Sequence, residues 1–259
     1  MLLADYTAAL ASVFYLAYGG IKWLLGKRSE ALNAFEEVVD ILVHLLVLQL
    51  IFSIAESIAS LLHISASLND AELVSNAIGR AGSIFWEASQ KAISVILYVQ
   101  TERALLASAP ITNPLSSVLG AATGWSTSEL SMVAIFFMHL SFASQVFSSI
   151  ASSLLFIGSI LLPVPKLRRL GASLLAIYLA TSVALLYSSG VVQDKMKNFV
   201  EPSPLNPIDW LRIAGIVSDN AILLGEAATT VALVLTLSTI AGYGLSSVFD
   251  SIYVSVVRY

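Results

Sequence analysis

The 259-residue chain contains no cysteine, which excludes disulfides, thiolate nucleophiles and cysteine-bound metals. Charge is scarce as well, with Asp, Glu, Lys and Arg making up 12% of the residues and a formal net charge of −4. An acidic balance of this kind gives no general electrostatic reason for tight binding to nucleic acid. The three histidines, His44, His63 and His139, are scattered and none has HxxxH spacing. No glycine run forms GxxxxGK ahead of a helix, and no serine sits in a GxSxG elbow. The sequence therefore carries no support for catalysis, for a resident metal or for a cofactor.

Hydrophobic residues fill the space that charge leaves. They account for 57% of the chain, and mean hydropathy is +0.85, outside the range of soluble globular domains. A helical membrane span needs about 20 consecutive apolar residues, and several runs reach that length. A transmembrane barrel would show short alternating segments instead. The expected fold is an all-α, polytopic membrane domain over 1–259 with about five transmembrane helices, at roughly 3–25, 38–63, 130–162, 170–192 and 213–249. The N-terminal run lacks a preceding positive charge and a small-residue cleavage site, so it is read as a retained span.

The segment 64–129 is the least membrane-like. Asn69 with Glu72, and Ser126 with Glu129, match the capping-box spacing and predict two helix starts. Glu87, Lys91, Glu102 and Arg103 break the first of these helices. The residues 92–101 between Lys91 and Glu102 are too few to cross the hydrocarbon layer, and each buried charge costs about 2.5 kcal/mol or more. An amphipathic helix in an outer or interfacial segment is expected there, ended by Pro110 and Pro114. Counting 84–107 as a sixth span would reverse the sides of everything after it. Residues 111–128 are uncharged and rich in small side chains, and fit an interfacial segment or a flexible loop equally.

With five spans, the basic ends of spans one (Lys22, Lys27, Arg28) and three (Lys166, Arg168, Arg169) fall on one side. The excess of positive charge inside then places the N-terminus outside and the C-terminus inside the cell. The Lys166, Arg168, Arg169 cluster reads mainly as a topology signal touching anionic headgroups, with nucleic-acid phosphate as the sharper alternative.

Intramembrane polar groups are the candidate functional residues, because lipid makes them expensive. Glu56 stands among Ile54, Ala55, Ile58 and Ala59, and shares a helix face with Gln49 and His63 at seven-residue spacing. Asp40 and His44 are an i, i+4 pair. Glu56 with His44 or His139 could form a proton or cation site, and Asp219 with Glu226 raises the same question in the last span. An ordinary interhelical hydrogen bond is the alternative in each case. Ser144, Ser148 and Ser152 recur every fourth residue, a pattern that lets a second helix approach closely.

The layout resembles the polytopic inner-membrane component of conjugative type IV secretion systems. Within that group it is most similar to the membrane proteins of crenarchaeal DNA-import (Ced) systems. The shared features are an outward N-terminus, two spans, a large outer helical segment, three further spans and an inward C-terminus. A local echo runs from Gly158 to Gly171, where an apolar span ends in Pro163 and Pro165, a basic turn follows, and a Gly/Ala-rich span begins. The resemblance implies a homo-oligomeric channel or platform in the plasma membrane with DNA as transported cargo. It also implies a separate cytoplasmic HerA-like ATPase and a small pilin-like subunit as partners, and no catalytic residues. A secondary transporter or ion channel using Glu56 and the histidines is the alternative function.

Overall fold

A computed structural model describes residues 2–61, 68–162, 167–202 and 207–256. The side chains of 2–8, 44, 45, 47, 168, 207–211 and 249–256 lie outside that description. Among the described residues the regular structure is entirely helical: α1 Leu2–Leu24, α2 Arg28–Leu61, α3 Ala71–Ser108, α4 Asn113–Leu161, α5 Arg168–Met196 and α6 Pro207–Val256. Four stretches are long and apolar enough to cross a membrane, Arg28–Leu61, Asn113–Leu161, Arg169–Met196 and Arg212–Val248, while Ala9–Leu24 is a shorter apolar helix. The helix α3 is not among them.

Two compact units divide the contacts, and the division falls within α3, α4, α5 and α6. The first comprises 1–77, 148–184 and 237–259. In it α1 and α2 form an antiparallel hairpin. Gly26 ends α1 at φ +75°, with Gly26 N–H bonded to the Trp23 carbonyl and Lys27 N–H to the Lys22 carbonyl. This is the left-handed helix stop that glycine adopts without strain. Lys22 then reaches Glu30 across the turn at 2.5 Å. The α4–α5 hairpin closes just as tightly: a Cβ on Gly171 would stand 2.8 Å from the Gly158 carbonyl oxygen and 2.7 Å from the Leu162 nitrogen.

The second unit comprises 78–147 and 185–236. Buried positions along α3 step by four and three residues in alternation, at Val74, Ile78, Ala81, Phe85, Ala88, Ala92, Val95 and Val99. In α4 the same alternation runs through Thr123, Ser126, Leu130, Val133, Phe137, Leu140, Ser144 and Phe147. A 3.5-residue period is the seam of a coiled coil. In this unit α3 and α4 pack antiparallel along it, with Phe85 stacked on Phe137 at 6.2 Å between centroids and Ser89 Oγ donating to the Ala134 carbonyl.

Several expectations change. Ser126 does not open a helix: α4 starts at Asn113, takes in most of the expected interfacial or loop segment 111–128, and buries Ser126 in the seam. Pro114 sits in the first turn of α4, where its missing N–H is harmless, and does not end α3. The cap of α3 is Asp70, whose Oδ1 accepts from the amides of Glu72 and Leu73 at 3.0 and 3.1 Å. Asn69, the expected cap, is engaged elsewhere. The apolar stripe of α3 packs against α4.

Candidate functional site

The polar node of the first unit begins with Glu56. Its carboxylate accepts from Asn69 Nδ2 at 2.7 Å, which ties the C-terminal part of α2 to the turn before α3. One residue earlier, the Leu68 carbonyl accepts from the hydroxyl of Tyr178, a fully buried α5 side chain. Asp70 caps α3 directly after. Three successive residues, Leu68, Asn69 and Asp70, thus fix where α3 begins, through partners far apart in the chain. Chemically, the node holds a carboxylate that is half-buried and hydrogen-bonded to an amide.

Ser75 and Ser148 exchange a reciprocal pair of bonds. Each hydroxyl donates to the other's carbonyl at 2.8 Å, and the hydroxyls themselves lie 3.2 Å apart. Hydroxyl pairs between helices in membranes are worth about 0.6 kcal/mol on average and about 1.7 at most. A double-mutant cycle of Ser75→Ala and Ser148→Ala, read as unfolding free energy in mixed micelles, is expected to give a coupling near the upper figure. Additive losses would mean the two bonds are not made. Also in the first unit, a cleft of about 210 Å³ between α5 and α6 is lined by Ser173, Thr181, Ser238, Thr239 and Tyr243 among others, and Ser173 Oγ meets Ser246 Oγ at 3.0 Å.

In the second unit three lysines are paired with carboxylates. Lys91 lies 3.4 Å from Glu87 and 3.8 Å from Glu201, with its ammonium over the Phe199 ring. Lys195 pairs with Glu226 at 2.6 Å, and Lys197 with Asp194 at 3.0 Å. Asn220, on the buried stripe of α6, grips the main chain of Val200 twice: it accepts from Val200 N–H at 3.2 Å and donates to its carbonyl at 2.8 Å. Glu102, only 2% exposed, takes the next place on the α3 seam after Val99 and lines a cavity of about 190 Å³ with Leu106, Leu115, Leu119 and Ile213.

The sequence candidates fare unevenly. Glu56 has an amide partner. Gln49 is exposed, and His63 and the side chain of His44 lie outside the described residues. His139 is exposed on α4, its Nδ1 2.8 Å from the Ile135 carbonyl oxygen of its own helix. Asp219 is exposed, and Glu226 is the partner of Lys195, so this pair forms no joint acidic site. Ser144 is buried against Gly82 and Ser148 is in the hydroxyl pair, whereas Ser152 faces outward. Of the basic cluster, Lys166 and the side chain of Arg168 are outside the described residues and Arg169 is exposed. Among the described residues no group of three or more His, Asp or Glu side chains is arranged to hold a metal. Sequence reasoning missed Asn220 and Tyr178, and gave Asn69 a helix cap's role in place of its bond to Glu56. The one available signal was position, since Asn220 falls on the four-three stripe Ile213, Val217, Asn220, Leu224, Ala227, Val231, where a polar residue requires a partner. Comparison with protein-family models, with curated proteins and with solved structures found no match.

Proposed function

We propose that the chain is a plasma-membrane component of a DNA-import or conjugation-like machine, acting as an oligomeric channel or platform driven by a separate ATPase. The observation that carries this reading is helix length. At 1.5 Å per residue, the 49 residues of α4 and the 50 of α6 extend about 74 and 75 Å, against a hydrocarbon layer of about 30 Å. Helices of that reach supply both a membrane anchor and surfaces well clear of lipid, as a platform for other subunits requires. In this reading α1, α2, α4, α5 and α6 cross the membrane, with the N-terminus outside and the C-terminus inside. DNA as cargo, a HerA-like ATPase and a pilin-like subunit enter through the family resemblance. Lys91, Lys195 and Lys197 are held by carboxylates, so the chain offers phosphate no row of free cations there, and a DNA path has to arise from the geometry of the assembly.

Native mass measurement after gentle extraction, with the candidate ATPase and pilin co-expressed, tests the proposal. Expected are multiples of 27.6 kDa that retain at least one of the two partners. A monomer retaining neither would sink it. The amide partner of Glu56 speaks against the transporter alternative, since a carboxamide oxygen can take over the same acceptor role. Glu56→Gln is expected to leave proton-coupled flux in vesicles unchanged and the fold intact. A carboxylate-dependent transporter would lose that flux.

A further inference from the structure

Within the second unit, α3 and α4 run side by side over one well-defined stretch: Gly82 lies against Ser141 and Ser144, Phe85 on Phe137, and Ser89 on Ala134. Their outward faces along that stretch are opposite in character. The α4 face presents Met132 (67% exposed), Ile135, Phe142 and Val146 (62%), inside the run 130–165 that holds no Asp, Glu, Lys or Arg, with His139 among them turned onto the Ile135 carbonyl of its own helix. The α3 face presents Arg80, Ser83, Glu87, Gln90 and Ser94, all exposed and all polar. Trp86 stands where the two faces meet, edge-on to Phe142 at 6.4 Å.

Neither lipid nor bulk water satisfies both faces. In water, the α4 face would be a long exposed apolar patch on top of those the chain already carries. In hydrocarbon, Arg80 and Glu87 would be charged groups without solvent, which membrane helices direct toward an interior or a water-filled cavity. We infer that this stretch is embedded with α4 toward lipid and α3 toward water, so that the polar face of α3 forms part of the wall of an aqueous cavity at membrane depth, closed by further copies of the chain. The lining of that wall is hydroxyl, amide, one guanidinium and one carboxylate. Arg80 and Glu87 are opposite in sign, and Lys91 beside Glu87 is also met by Glu201, so the surface is close to neutral. A near-neutral hydrated wall lets a polyanion pass without the tight, salt-dependent hold that a row of unpaired cations would exert. The inference rests on the membrane-assembly reading and names the surface that would border its lumen.

The absence of cysteine makes the test direct. Single cysteines at Ser83, Gln90, Ile135 and Val146 are spin-labelled in the assembled protein in lipid vesicles, and collision rates with oxygen and with a neutral nickel chelate are compared. All four sites are exposed, so packing is left intact. Expected is a several-fold preference for the nickel chelate at Ser83 and Gln90, with the reverse at Ile135 and Val146. Oxygen preference at all four sites, or no access by either reagent at Ser83 and Gln90 (a dry interface between copies), overturns the aqueous wall while leaving the membrane reading intact. Nickel preference at all four places the stretch outside the bilayer and overturns the inference through that reading.

Discussion

Gly171→Ala is expected to lower the stability of the first unit by about 2 kcal/mol. The added Cβ would meet main-chain atoms on the facing helix: the Leu162 nitrogen at 2.7 Å, the Gly158 oxygen at 2.8 Å and the Leu161 carbonyl carbon at 2.9 Å. Overpacking generally costs about 1–3 kcal/mol, and the upper part of that range applies where backbone has to move in place of a side-chain tip. Against it stands a gain of up to about 1 kcal/mol from replacing glycine within a helix. Gly158→Ala makes the comparison sharp. Its nearest obstacle is the Leu175 Cγ at 2.8 Å, the Gly171 oxygen being more distant at 3.2 Å, so a rotamer change relieves part of the clash and a smaller loss is expected. Gly215→Ala, with nothing within 4 Å, is expected to be neutral or slightly stabilising. Unfolding midpoints in mixed micelles check the order Gly171, Gly158, Gly215. Equal values for Gly171→Ala and Gly215→Ala would show that α4 and α5 do not approach this closely.

Hydropathy and charge made much of the architecture legible. The apolar runs mark α2, α5 and the later parts of α4 and α6, and the charges Glu87, Lys91, Glu102 and Arg103 separate α3 from the stretches able to cross a membrane. What misled was local pattern. Ser126 and Glu129 have capping-box spacing, yet an uncharged stretch of small residues from Asn113 lets the helix run straight through them, and Ser126 is a small seam residue where α4 needs close packing. At the other helix start, Asn69 and Asp70 are both good caps. The choice between them was made by Glu56, which engages Asn69 and leaves Asp70 to bond the first amides of α3. The seam of α3 was present in the sequence as a four-three alternation, hidden because attention falls on the charges, most of which lie off it. Glu102 is the exception, a charged residue on the seam itself. The partners of Glu56 and Glu226 were not legible for one physical reason: spacing along a helix says which residues share a face but not what faces them.

Asn220→Ala is expected to cost about 2 kcal/mol in the second unit, chiefly from its two lost hydrogen bonds. Asn220 is 1% exposed, and its side chain makes both of its bonds to one residue, Val200, in the segment between α5 and α6. Each hydrogen bond contributes about 1 kcal/mol net, and a donor or acceptor left buried without a partner costs about 1–3 kcal/mol. Removing the amide loses both bonds to Val200 at once, and because Val200 is half-exposed, water takes over part of what its N–H and carbonyl lose. The neighbouring residues widen the consequence: Phe199 lies under the Lys91 ammonium and Glu201 stands 3.8 Å from it, so Val200 is the fixed point between two contacts to α3. Loss of the clamp is therefore expected to free Glu201 and Phe199 as well, and to raise amide exchange through residues 197–202. Asn220→Asp separates the bonds. The carboxylate keeps the acceptor for Val200 N–H but loses the donor to its carbonyl and sets a negative charge against that oxygen, so a loss at least as large as that of alanine is expected, easing as pH falls and the carboxyl regains a proton. That sign follows from the protonated acid being the one form that can donate. A variant equally stable at neutral and acidic pH would show that the Val200 carbonyl is not a partner. Unchanged exchange at 197–202 in Asn220→Ala would show that the segment is held by Lys91 alone.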